Sequence, residues 1–200
     1  MKVSPSLSTL LEDMHQKFFD GLPDTLTYHN FEHTVLVTQL AQDLAIEANL
    51  NQHNLDVLYA AAVLHDTGYV VKYKSNERQG ANHAVEELPA FGFSAEDIST
   101  VVDIIKATSY EFEPQTELQK LIKDADLGYL GRTDFFEWSN RLFDEYKSMN
   151  LFKGDEIEWL ANQISFLTQH TYHTPAGVKL FEEGKQKNLS RLKALSKWPS

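Results

Sequence analysis

The stretch Ala61-Ala62-Val63-Leu64-His65-Asp66-Thr67-Gly68-Tyr69 sets two metal-capable side chains next to each other at the end of an apolar run. A neutral imidazole and a carboxylate make a good first pair of ligands for a divalent ion. Gly68 is where the helix is expected to stop, because glycine accepts the left-handed conformation that ends helices. One such pair holds nothing by itself, so further donors must come from elsewhere in the chain. With no cysteines, disulfides and thiolate sites are excluded, and the donors have to be His, Asp, Glu or Asn.

Two other stretches offer them. In Tyr28-His29-Asn30-Phe31-Glu32-His33, His33 lies about one position off the stripe Leu36, Leu40, Leu44, close enough to look inward. Taken alone, a histidine there reads as a satisfied core or surface residue. His29 precedes it by one turn, placed to orient a ligand, touch substrate or sit on an exposed loop. In Leu121-Ile122-Lys123-Asp124-Ala125-Asp126-Leu127-Gly128, Asp124 and Asp126 are separated by two positions and cannot share one helical face. Either one, taken alone, reads as a cap or a solvated charge.

The elements that must position these residues read as helices, since most segments repeat apolar residues every three to four positions. A first helix is expected over about 7–19, broken by Gly21, Pro23 and Asp24. Asn30 is a plausible N-cap for a second and Asn54 for a third over Leu55–His65. After an exposed polar loop at 72–79, a fourth helix is expected over 78–88, burying Ala81, Ala84, Val85 and Leu88. Ser94 and Asp97 resemble a capping box opening a fifth through about Thr108. A sixth starts near Pro114 and Thr116, an aromatic-rich one spans 133–149, and two more cover 155–168 and 175–195, with Pro175 at a first helical position. The fold class expected is all-α, one helical bundle over residues 1–200. Its motif-bearing core is about 28–131, with C-terminal helices over 133–196 packing on it.

Composition fits that picture. At 200 residues, 42% hydrophobic and 24% charged, the chain is of ordinary globular make-up and long enough for a substantial core. No run approaches 18 apolar residues, so no membrane span is expected. Met1 to Ser8 has no apolar signal core, which points to a cytoplasmic protein. The net charge of −11 argues against nucleic-acid polymers, whose binding is driven by Lys and Arg. It leaves room for a small phosphorylated ligand in a locally positive pocket. A homo-oligomer is open, since the aromatic segment 135–143 can supply core or interface.

Taken together, the order His33, His65-Asp66, Asp126, each near a helix end, resembles the HD superfamily of metal-dependent phosphohydrolases. The resemblance covers about residues 28–131 and rests on Tyr-His-Asn-x-x-His, Leu-His-Asp-x-Gly and Asp-Ala-Asp-Leu-Gly. It implies an HD-type helical fold with His33, His65, Asp66 and Asp126 as metal ligands. Such an N/O set suits Mn²⁺, Fe²⁺, Co²⁺ or Zn²⁺, with Ni²⁺ in range and Mg²⁺ less well served. Dinuclear members carry further histidines, where this chain has Asn76 and Thr108, so one ion is expected. His83 reads as a surface or supporting residue rather than a ligand.

The run Asn76-Glu77-Arg78 before Gly80-Ala81 resembles a subgroup of uncharacterised predicted HD hydrolases. It implies Glu77 as general acid/base, with Asp66 and Asp126 sharing the catalytic work, and Arg78 as a phosphate clamp. The plain alternative is a helix N-terminus with a capping Asn and a dipole-favoured Glu. Asn76, His29 and Lys72 complete the expected substrate contacts. Lys74, Lys123 and Arg132 are further candidates, each singly a solvated charge; His170 and His173 are given no chemical role. The activity implied is hydrolysis of a phosphate ester in a nucleotide or other small phosphorylated metabolite. The competing expectation is an HD protein that binds metal or nucleotide as a regulator with little or no turnover.

Overall fold

The computed structural model describes residues 2–20 and 22–196, and all of its regular elements are helical. Met1 and Gly21, both used in the reading above, lie outside the described residues. Helix α1 (Leu10–Met14) runs straight into a π-helical turn (His15–Phe19). There follow α2 (Phe31–Glu47), α3 (Gln52–Leu64), α4 (Asn76–Glu87), α5 (Ala95–Ala107) and α6 (Glu117–Asp126). Then come α7 (Phe135–Ser148), α8 (Glu156–Gln169), α9 (Pro175–Gly177), a π-helical turn (Val178–Glu182) and α10 (Glu183–Leu195). No helix among the described residues is long and apolar enough to cross a membrane.

Helix α3 is the axis of the molecule. Its residues Val57 to Leu64 are all buried, and it packs against α1, α2, α4, α5 and α6. A helix that is apolar on every side can only sit in a core, so its last turn delivers His65 and Asp66 to the interior. The cap of α3 differs from expectation: Asn51, not Asn54, accepts from the backbone N–H of Asn54 at 2.8 Å, so the helix starts at Gln52. The expected capping box is present, Ser94 and Asp97 bonding reciprocally at the start of α5.

Helix α4 opens earlier than its apolar pattern suggests. It begins at Asn76, inside the stretch expected to be an exposed loop, and Asn76 is buried. Val85, expected inside, is 55% exposed; the helix presents Gly80, Ala81 and Ala84 inward instead. Gly80 allows that face to come close, since a Cβ there would lie 2.7 Å from the Leu64 carbonyl oxygen. Gly68 does a different job from the one expected. Gly92 is the one described glycine at positive φ. A Cβ on Gly68 would lie 2.0 Å from the carbonyl oxygen of Asn76, so the missing side chain lets the start of α4 close against the turn after His65-Asp66.

A second apolar cluster joins the C-terminal helices to this core through Tyr28, Tyr129, Leu130, Phe135, Trp138, Leu167, Leu189 and Leu192. The junction is reinforced by Asp124, which is fully buried. Its carboxylate accepts from the backbone N–H of His173 (2.8 Å) and Thr174 (2.9 Å) and from the Thr174 hydroxyl (2.6 Å), fixing the start of α9.

Candidate metal centre

His33 comes from the first turn of α2, held there because the Asn30 side chain accepts its backbone N–H at 3.2 Å. His65 follows the last residue of α3, Asp66 follows it, and Asp126 ends α6. The structure brings all four side chains together. Nε2 of His33 lies 3.1 Å from Asp126 Oδ1 and 3.4 Å from Asp66 Oδ2. Nε2 of His65 lies 3.2 Å from Asp66 Oδ2 and 3.8 Å from Asp126 Oδ1. His33, His65 and Asp66 are at most 5% exposed. The Asp126 side chain, at 24%, is the most open of the four.

These donors fit a cation better than they fit one another. His65 Nε2 and Asp66 Oδ2 are buried and lack a hydrogen bond, although they are 3.2 Å apart, because their directions do not align. Buried polar atoms are rarely left so. His65 Nδ1 donates to the Ala62 carbonyl at 2.7 Å, which orients the ring so that Nε2 is the nitrogen facing Asp66. Ligand atoms about 2.1 Å from a common ion and at right angles to each other lie about 3 Å apart, the spacing seen here. The charges agree. Burial pushes the His65 imidazole down, but the Asp66 and Asp126 carboxylates outweigh it and raise its pKa to about 9. Burial would raise Asp66, and the three imidazoles around it hold it well below the usual carboxylate range instead.

A second constellation adjoins the first. Glu145 of α7 is fully buried, and its Oε2 accepts from the backbone N–H groups of Tyr28 and His29, both at 2.9 Å. Its Oε1 is bonded to His29 Nδ1 and accepts the Tyr73 hydroxyl at 2.8 Å. The His29 ring stacks on Tyr69 with centroids 4.3 Å apart and meets the His33 ring edge-on at 5.9 Å. Burial pushes His29 down, and the Glu145 carboxylate more than restores it, leaving the imidazole above its ordinary value. Glu145 had no place in the motif reading. Its signal was there to find: it falls seven residues after Trp138 and three after Leu142, a carboxylate on the apolar face of its helix.

The other expected site residues divide. Asn76 donates to Asp66 Oδ1 at 3.3 Å. Glu77 and Arg78 line a shallow surface cleft of about 370 Å³ with Lys106, Ser109, Glu111 and Phe112, and none of the four clustered residues borders it. Lys72 and Lys74 are exposed on the loop before α4. Lys123 and Arg132 are committed elsewhere. Lys123 Nζ donates to the carbonyls of Ala107 (3.1 Å), Ser109 (2.8 Å) and Phe112 (2.9 Å). Arg132 forms a two-point pair with Asp134 at 2.8 Å per contact. Thr108 donates its hydroxyl to the Ile105 carbonyl. His83 is buried rather than on the surface: it stacks on Phe18 and bonds the Thr67 hydroxyl at 3.0 Å, bracing the turn after Asp66.

The model of the HD-domain family matches residues 30–127, and this part of the chain belongs to that family. The match includes His33, His65, Asp66 and Asp126, and stops short of His29 and Glu145 on either side. The whole fold is similar to the crystal structure of a predicted HD superfamily hydrolase from an uncultured Thermotogales bacterium. The TM-score is 0.67 at 18% identity, covering 96% of this chain and 94% of the other. No curated protein matches in sequence.

Proposed function

We propose that the protein is a metal-dependent phosphohydrolase acting on a nucleotide or another small phosphorylated metabolite. The observation that carries this is the buried cluster of His33, His65 and Asp66, with Asp126 against both imidazoles and with His65 Nε2 and Asp66 Oδ2 lacking a hydrogen bond. His33, His65, Asp66 and Asp126 would hold one divalent ion. The ion supplies Lewis acidity toward a phosphoryl oxygen and acidifies water.

The chain's own residues supply the rest. Asp126, the most exposed of the four, faces the approach of substrate and water. His29 Nδ1 is bonded to Glu145, whose carboxylate favours the charged form of the ring, and Nε2 is the nitrogen that would give a proton to the departing oxygen. Glu145, dry and saturated by its donors, fixes that ring as a buried carboxylate fixes a catalytic imidazole. Asn76 orients Asp66, and Lys72 meets the phosphate group from the loop.

The test is a panel of nucleoside monophosphates, other phosphomonoesters and phosphodiesters, assayed with Mn²⁺, Fe²⁺, Co²⁺, Zn²⁺, Ni²⁺ and Mg²⁺. Turnover of at least one ester class that disappears in Asp66→Ala, together with the thermal shift on adding Mn²⁺, is the expected result. A fully active Asp66→Ala protein overturns the proposal, and tight nucleotide binding with no turnover replaces it with a regulatory role.

A further inference from the structure

Glu145 Oε1 carries two donors, and they come from parts of the chain that differ in exposure. His29 belongs to the turn ahead of α2, where the backbone N–H groups of Tyr28 and His29 are themselves fixed on Glu145 Oε2. Tyr73 is the midpoint of loop 71–75, whose other residues, Val71, Lys72, Lys74 and Ser75, are all exposed. At the far end of the loop Ser75 has φ +61°, a left-handed conformation unusual for a residue with a side chain. Burial and the nearby carboxylate push the Tyr73 hydroxyl well above its ordinary value, so it stays protonated and donates.

The rings close the same circuit. Tyr73 meets Tyr69 at 5.0 Å and His29 at 5.9 Å, both edge-on, and Tyr69 lies flat on His29. His29 is thus bounded by a carboxylate, a stacked ring and the edge of a ring carried by the loop.

We infer that Tyr73 is a positioning residue, latching loop 71–75 to Glu145 so that His29 is held for proton delivery only when the loop is down. This rests on the role given to His29 above. The loop also carries Lys72 and Lys74, so a phosphate group that engages these cations favours the closed loop and meets a clamped imidazole. With the latch open, water takes the place of the hydroxyl on Oε1, and His29 loses the edge contact that limits its rotation.

Tyr73→Phe keeps the ring and removes the donor. In the full-length, Mn²⁺-loaded protein, kcat for an alkyl phosphate ester, whose leaving oxygen needs a proton, is expected to fall about 10-fold, the worth of one such hydrogen bond. For the matching p-nitrophenyl ester, whose leaving group departs without one, kcat stays within about 2-fold, and any rise in KM from weaker loop closure is shared by both esters. A merely structural loss would slow both esters alike. Independently of turnover, the imidazole Nδ1 proton of His29 in the metal-free protein, assigned with His29→Gln, is expected as a solvent-protected downfield resonance that moves or exchanges faster in Tyr73→Phe. Equal effects on the two esters, or a His29 resonance that is absent or unmoved, overturn the inference. If the wild type hydrolyses neither ester, the proposed activity is decided by the ester panel above and the His29 resonance alone decides on the latch.

Discussion

Asn76 Nδ2 donates to Asp66 Oδ1 at 3.3 Å, joining the first residue of α4 to the turn that follows α3. The contact depends on Gly68, where any side chain would collide with the Asn76 carbonyl. Dinuclear relatives of the HD type are expected to carry a histidine at this position. Here an amide occupies it and engages the carboxylate oxygen turned away from the imidazoles. Groups that orient a ligating carboxylate in this way matter for affinity. Asn76→Ala should therefore weaken Mn²⁺ binding about 10–100-fold without unfolding the protein. Titration calorimetry on the two proteins measures it, and equal affinities would show that Asp66 is oriented without Asn76.

Asp124 and Asp126 provide a crossed comparison. The first is buried and accepts three hydrogen bonds at the start of α9; the second is partly open and faces the two imidazoles. Removing Asp124 leaves three donors without their acceptor, the two on Thr174 buried, so Asp124→Ala should cost about 2–4 kcal/mol of stability while Mn²⁺ affinity of the folded protein holds within about 2-fold. Asp126→Ala should do the reverse, losing Mn²⁺ binding with little loss of stability in the metal-free protein. Urea melts paired with metal titrations separate the two. A shared phenotype would mean that the aspartates act as one unit.

That pair also shows how far the sequence could be read. Spacing alone placed Asp124 and Asp126 on different faces and could not choose between them, because the partner that occupies Asp124 lies about fifty residues away in sequence, at Thr174. The all-α class and the meeting of His33, His65, Asp66 and Asp126 were legible because they follow from local periodicity and a short ordered pattern. Helix α3 was found from its apolar run, yet its cap was misplaced by three residues, since Asn51 and Asn54 offer the same chemistry. Lys123 looked like a free cation until the fold brought three carbonyls to it, one from the last residue of α5 and two from the α5–α6 connection. Glu145 was missed for the same reason: its four donors come from turns and loops far away in the chain, and only its place on an apolar face hinted at them.

His170, given no chemical role from the sequence, should shape the response to acid. Its Nδ1 lies 3.5 Å from the ammonium of Lys185, which is itself buried and donates to the His170 carbonyl at 2.7 Å. Burial and that ammonium hold the imidazole down, to a pKa of about 4, against 6.5 for the free side chain. The folded protein therefore binds fewer protons here than the unfolded chain between these values, so the contribution to stability is complete above pH 6.5 and is lost as pH falls toward 4. At this partly exposed position the amount is about 1–2 kcal/mol. His170→Asn removes the titrating group and keeps a polar side chain, so the stability difference between wild type and variant should shrink by about that amount from pH 7.5 to pH 4.5. Denaturant melts at four or five pH values across this window provide the measurement. A constant difference would mean that His170 takes up its proton in the folded state as easily as in the unfolded one, and that the Lys185 ammonium does not act on it.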